Sequence, residues 1–241
     1  MKHYRSSIPK AALERVVSTH QSTGKKQKVE YVLGDEVVGV RWFAQDGLMG
    51  SETPWKNGVP HGTMYYFDDR FDGLLRVTFA EPYRNGLSHG VAKQWSGYNG
   101  RLIGTYSMKR GTGIDLWRCE TYSGKSVYLH EARYIQGGKW HGFEWWLEDD
   151  QKSVHQEAHF WDNLQHGIRR LWNSEGRLRR GYPQYWVKNE RVSKRQYLRA
   201  CTQDPNLPLF REIDNLPQRK FPSEVRVAIK QTASLQLAAR G

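Results

Sequence analysis

Cysteine is scarce in this chain: 241 residues hold 2, Cys119 and Cys201. That count excludes a disulfide framework and suits a reducing compartment. Long apolar runs are missing as well. No stretch approaches the ~18 apolar residues of a membrane-spanning helix, and no apolar segment follows the N-terminal charges as a secretory leader requires. A cytoplasmic protein without a transmembrane segment is therefore expected. Phosphate-loop, Gly-x-Ser-x-Gly, His-Glu-x-x-His and dinucleotide fingerprints are absent. No catalytic residue, metal site or cofactor is expected.

The two ends of the chain have little acid. Residues 1–30 carry 7 Lys/Arg against 2 Asp/Glu, or +5, and residues 168–241 carry 16 against 6, or +10. Between them, residues 31–167 carry 14 against 17, or −3. The overall +12 is thus a property of the ends, which can steer an acidic protein, nucleic acid or an anionic membrane.

Aromatic residues are plentiful, with 10 Trp and 13 Tyr, and they recur in register. The stretch Trp55-Lys-Asn-Gly-Val-Pro-His-Gly62 returns as Tyr83-Arg-Asn-Gly-Leu-Ser-His-Gly90, Gly137-Gly-Lys-Trp-His-Gly142 and Trp161-Asp-Asn-Leu-Gln-His-Gly167. Degraded copies cover Tyr31–Val38, Met108–Asp115 and Trp186–Ser193. Anchored on the His position (Val37, His61, His89, Ile114, His141, His166, Val192), the spacings are 24, 28, 25, 27, 25 and 26 residues. Such a period marks a repeat architecture and favours one continuous body.

Three residues before the His position stand Gly34, Gly58, Gly86, Gly111, Gly138, Asn163 and Asn189. Gly and Asn adopt positive φ most cheaply, so a left-handed turn is expected in every copy. Three residues further back the chain is always apolar, as a face stacked on the next hairpin requires. Each period also contains a second turn, such as Asp46-Gly47 or Asn99-Gly100, so each repeat reads as one hairpin. Residues 1–27 read as a helical extension and linker, with a short helix over Ser7–Val17 and Pro9 in its first turn. Residues 28–199 read as about seven hairpin repeats. Residues 200–241 read as an irregular segment followed by a capping helix from Ser223 to Ala239. The expected class is all-β: an elongated open antiparallel sheet of stacked hairpins with short helical extensions at both ends.

The motif Trp/Tyr-x-Asn-Gly-x-x-His-Gly, with an aromatic pair and a second glycine turn after it, resembles the MORN-type repeat. It is most similar to the variant in bacterial YwqK-type antitoxin proteins, over about residues 28–198. The resemblance implies elongated sheets of successive hairpins that serve as binding scaffolds. It also implies a protein partner, such as a toxin or effector of the same complex. His-Gly is missing at Val37-Val38, Ile114-Asp115 and Val192-Ser193. The mid-array exception, Ile114-Asp115, is a place to look for function.

Four histidines in one column invite a metal reading, but equivalent residues two strands apart lie roughly 10 Å from each other. Zinc needs each nitrogen at about 2.0–2.1 Å from one ion. Gly58, His61, Gly62, Gly86, His89, Gly90, His141, Gly142, His166 and Gly167 therefore read as structural, the imidazoles bonding turn backbone or packing on the next hairpin. Two stretches are candidates for binding. Asp68, Asp69, Arg70, Phe71 and Asp72 occupy the longest interval, where insertions mark a binding side. Arg169, Arg170, Arg177, Arg179 and Arg180, interleaved with aromatics, suit an anionic partner, either nucleic acid or anionic lipid. The leading expectation is a non-enzymatic scaffold for a partner protein.

Overall fold

The computed structural model describes residues 3–68, 75–121 and 126–238, with side chains placed as far as residue 233. The described chain is all-β, built from two open antiparallel sheets of successive hairpins, and divides into two units, Met1–Arg110 and Gly111–Gly241. The sequence favoured one continuous body, and two units are found instead. The division falls inside the turn Arg110–Gly111, next to the divergent Ile114-Asp115.

The first unit is a meander of β1 (Leu13–Thr19), β2 (Lys26–Leu33), β3 (Glu36–Phe43), β4 (Met49–Lys56), β5 (Val59–Pro60), β6 (Gly62–Asp68), β7 (Arg76–Arg84), β8 (Leu87–Ser88), β9 (Gly90–Trp95) and β10 (Leu102–Met108). Neighbours in the sheet are neighbours in sequence, with the two-residue strands β5 and β8 pairing beside β4 and β7. Period-2 alternation gives this sheet two distinct faces. One is covered by the chain's own residues 3–8. Ile8 packs with Val29 and Tyr31, in a slot kept open by Gly39, where any Cβ would collide with Ile8. Tyr4 lies edge-on to Tyr65 and Phe67 at 5.2 and 5.1 Å. His3 stacks on Trp95 at 5.2 Å. Each such buried apolar side chain contributes about 1.5–3 kcal/mol.

The helix expected over Ser7–Val17 is not formed. Leu13–Thr19 is a strand, paired antiparallel with β2 from Leu13↔Val32 to Thr19↔Lys26. Val16, Val17 and Thr19 are β-branched, and pairing with β2 outweighs the helical leaning of Ala11-Ala-Leu-Glu-Arg15. On this edge strand Arg15 bonds Glu30 and Lys26 bonds Glu14, charges that suit an edge left open to solvent.

The second unit contains β11 (Gly113–Glu120), β12 (Val127–Gln136), β13 (Lys139–Leu147), β14 (Val154–Trp161), β15 (Leu164–Gln165), β16 (Gly167–Leu171), β17 (Gln184–Val187) and β18 (Glu190–Val192). Two helices follow, α1 (Lys194–Cys201) and α2 (Ser223–Ala238). The helix α1 begins inside the stretch read as the repeat array. Ser193 starts it with a capping box: its hydroxyl accepts from the Gln196 N–H, and the Gln196 side chain accepts from the Ser193 N–H. The chain after α1 covers one face of this sheet. Leu207 joins Ile168, Tyr185 and Tyr197 in a core, Phe221 meets Trp145 edge-on at 5.5 Å, and α2 packs on β11 and β12. Val225, Ala228 and Thr232 are buried along α2.

Candidate binding sites

The repeat motif resolves into a turn and a bulge. All seven residues of the Gly/Asn column have positive φ, from 61° at Gly34 to 81° at Gly86. In six copies the preceding residue is left-handed as well: Asn57, Asn85, Arg110, Gly137, Asp162 and Lys188. Both central residues at positive φ make the mirror-image turn whose twist suits a hairpin. The first copy differs. Leu33 pairs with Glu36, so Gly34 is the first turn residue there.

The His-Gly dipeptide is where the returning strand takes up two extra residues. Between the pairs Trp55↔Pro60 and Glu52↔Tyr65, one strand advances three residues and the other five. The same offset recurs between Tyr83↔Ser88 and Ala80↔Lys93, and between Phe160↔Gln165 and Glu157↔Arg170. The glycine is needed for its backbone and for its lack of bulk. Gly62, Gly90 and Gly167 have φ of 110°, 125° and 142°, and a Cβ on Gly167 would lie 2.6 Å from His159 Cβ. The imidazoles reach the next hairpin. Nδ1 of His61, His89 and His166 accepts the backbone N–H of Asn85, Arg110 and Lys188 at 3.4, 3.1 and 3.2 Å. Each donating N–H belongs to the first left-handed residue of the following turn. His141 has no such bond; it packs on Trp161 with ring centroids 4.1 Å apart. The turns are also tied directly, the Gly86 N–H donating to Pro60 O and the Asn189 N–H to Gln165 O.

The open face of the first sheet carries a groove of about 580 Å³. Trp42, Trp55, Tyr83, Met64 and Val40 line it, with Asp35 and Glu36 at the turn end. Trp42 is 46% exposed and Tyr66, two strands away on the same face, 41%. The groove has a braced wall, since the Tyr83 and Tyr106 hydroxyls both donate to the buried Glu81 carboxylate. Glu30 is met by Arg15 and Lys28, so Asp35 and Glu36 give the rim its negative charge. Trp55 and Tyr83 belong to the apolar repeat column, and here they line open surface.

Of the acidic stretch, Asp68 ends β6 opposite Arg76. Asp69, Arg70, Phe71 and Asp72 lie outside the described residues. The five arginines do not share one surface. Arg170 is 1% exposed on the covered face, Arg177 pairs with Glu175, and Arg179 donates to the Trp172 carbonyl. Arg177, Arg179 and Arg180 are exposed in the loop between β16 and β17, while Arg169 is half-buried on β16. Ile114 and Asp115 lie on β11 and pair with Tyr134 and Arg133 of β12. Among the described residues, no group of three or more His, Cys, Asp or Glu side chains could hold a metal ion.

Set against family models, curated proteins and solved structures, the chain matches none.

The residues that sequence reasoning missed are the buried ionic centres of the two covered faces. In the first unit, Glu52 is fully buried and accepts from Arg41 Nε at 2.8 Å and from the Tyr4 hydroxyl at 2.6 Å. Burial and the hydrogen bond to Glu52 push the Tyr4 phenol up to about 12, so it stays a donor. In the second unit, Glu157 accepts from Arg170 Nη1 at 2.5 Å, Arg219 Nε at 2.6 Å and Trp145 Nε1 at 2.8 Å. Burial alone would raise its carboxyl, but His159, Arg219 and Arg170 outweigh burial and hold it at about 2. Glu52 and Glu157 occupy the same place in their repeats, six residues before the second left-handed turn residue, Gly58 and Asn163 respectively. An acid at a strand position that ordinarily buries apolar residues was the available signal.

Proposed function

We propose that this protein is a non-enzymatic scaffold whose first unit binds a segment of a partner protein. The observation that carries the reading is the groove on the open face of the first sheet. It has aromatic walls, one of them braced by the Tyr83–Glu81–Tyr106 hydrogen bonds, and a rim of Asp35 and Glu36. Interface hot spots are enriched in Trp and Tyr that sit on rigid supports. An apolar anchor flanked by Lys or Arg fits such a groove, the anchor against Trp42 and Trp55 and the cations at the acidic rim. The resemblance of the repeats to MORN-type scaffolds agrees with this reading, and under it a toxin or effector of the same complex is the natural kind of partner. Nucleic acid and anionic lipid are disfavoured at this groove by the sign of its rim.

The test is co-purification from the native host of wild type and of a Trp42→Ala/Trp55→Ala double variant, with circular dichroism to check the fold. A partner that is retained by wild type and lost from the folded double variant supports the reading. A partner retained equally by both, or nucleic acid as the main companion, overturns it.

A further inference from the structure

The covered face of the second sheet contains a cleft of about 540 Å³, between strands β13, β14 and β16 and the segment of residues 208–220. That volume lies within the ~300–1,000 Å³ of small-molecule sites. Four cationic side chains line it, Arg170, Arg211, Arg219 and Lys220, against two carboxylates, Glu157 and Asp214, which leaves a charge of +2. The acids are committed to holding cations in place. Glu157 takes Arg170 and Arg219, and Asp214 takes Arg211 through two hydrogen bonds of 3.0 and 2.8 Å. Arg219 spends its remaining donors on the Leu216, Gln218 and Asp214 carbonyls.

Arg170 is different. Its Nη1 meets Glu157 and its Nε meets Asn215, yet Nη2 is buried without a protein partner. A buried guanidinium N–H left without an acceptor forfeits its hydration with nothing in return, so native proteins seldom leave one. The same cleft has one uncovered apolar residue in its lining. Leu209 is 71% exposed at its edge, beside Pro208 and the ring of Trp145.

We propose that this cleft is a binding site for a small organic anion, a carboxylate carried on an apolar body. The carboxylate takes up the Nη2 donor of Arg170 and the field of Lys220, and the apolar body lies against Leu209 and Trp145. A carboxylate fits the two N–H groups of Arg170 Nη2 and the cleft's charge of +2. Inorganic phosphate carries no apolar body to lie against Leu209.

Isothermal titration calorimetry with phenylacetate, acetate and inorganic phosphate tests the assignment on the full chain. Phenylacetate is expected to bind, more tightly than acetate or phosphate and more weakly as salt rises. Because loss of Arg170 strips Glu157 of a partner and can unfold the unit, the site is probed through exposed positions. Lys220→Gln and Leu209→Ser are each expected to weaken phenylacetate binding about 5- to 10-fold while leaving the thermal midpoint unchanged. Three results overturn the proposal: no phenylacetate binding up to about 10 mM, where affinity is already below ~3 kcal/mol; affinity unchanged in both variants; or phosphate binding as tightly as phenylacetate.

Discussion

His166 accepts the Lys188 backbone N–H at Nδ1, 3.2 Å away, and its Nε2 lies 3.2 Å from Asp204 Oδ2. Nδ1 can accept only if it carries no proton, so Nε2 is the protonated nitrogen and donates to Asp204. The ring is 2% exposed, and burial lowers its pKa even though Asp204 pulls the other way. The imidazole is therefore neutral, and it links the next turn to the Asp204 carboxylate beyond α1.

Acid should weaken this joint. The folded-state pKa lies below the ordinary 6.5, so the unfolded chain takes up the proton first as pH falls. The stability tied to neutral His166 is complete above about 6.5 and is lost as pH drops from there through the lower folded value. Urea unfolding between about pH 5 and 8 should give a steeper pH slope for wild type than for His166→Asn. At neutral pH His166→Ala should cost roughly 1–3 kcal/mol, more than His141→Ala, whose ring bonds no turn N–H.

The bulge glycines should be far less replaceable than glycines in open turns. Gly167→Ala meets both φ of 142° and the 2.6 Å approach to His159, and Gly62→Ala meets φ of 110° and Pro54 at 3.1 Å. Each should cost more than ~2 kcal/mol in denaturant midpoint. Gly24→Ala, at φ of 67° with nothing within 4 Å, should cost only about 1 kcal/mol.

The second unit should have its own acid transition. Glu157 is held at about 2 against an ordinary 4.5, so its contribution is present above the unfolded value and disappears as pH falls toward 2. That contribution is on the order of 3 kcal/mol. Near-ultraviolet dichroism, which reports on Trp145 and Trp172, should lose amplitude over that window. Glu157→Gln should flatten the dependence and lower stability at neutral pH, because Arg170 and Arg219 then lack their counter-charge.

Tyr4→Phe keeps the ring contacts with Tyr65 and Phe67 and removes only the hydroxyl that Glu52 accepts from. A loss of roughly 1–3 kcal/mol is expected in urea unfolding, with the far-ultraviolet spectrum preserved.

What could be read from the residues was local. Left-handed φ admits few residue types, so Gly58, Gly86 and Asn163 announced their turns, and regular spacing announced the hairpins. Arg110 and Lys188 are left-handed too, at φ of 51° and 49°, but neither residue type signals it; the flanking Gly111 and Asn189 fix the turn for them. What was hidden depends on distant partners. Leu13–Thr19 is a strand because β2 is beside it. Glu52 needs Tyr4, 48 residues earlier, and Glu157 needs Arg219, 62 residues later. No spacing rule links such pairs. The division at Arg110–Gly111 left a trace only as the absence of His-Gly in that copy.

The residues that cover the first sheet leave the ribosome long before the strands they cover. Ile8 finds its slot once Gly39 has been made, but His3 has no surface to stack on until Trp95 appears, 92 positions later. At about 5–20 residues per second, that delay is roughly 5–20 s. During it the covering segment has no finished face to lie on, which makes the nascent first unit, rather than the finished one, the form most exposed to aggregation.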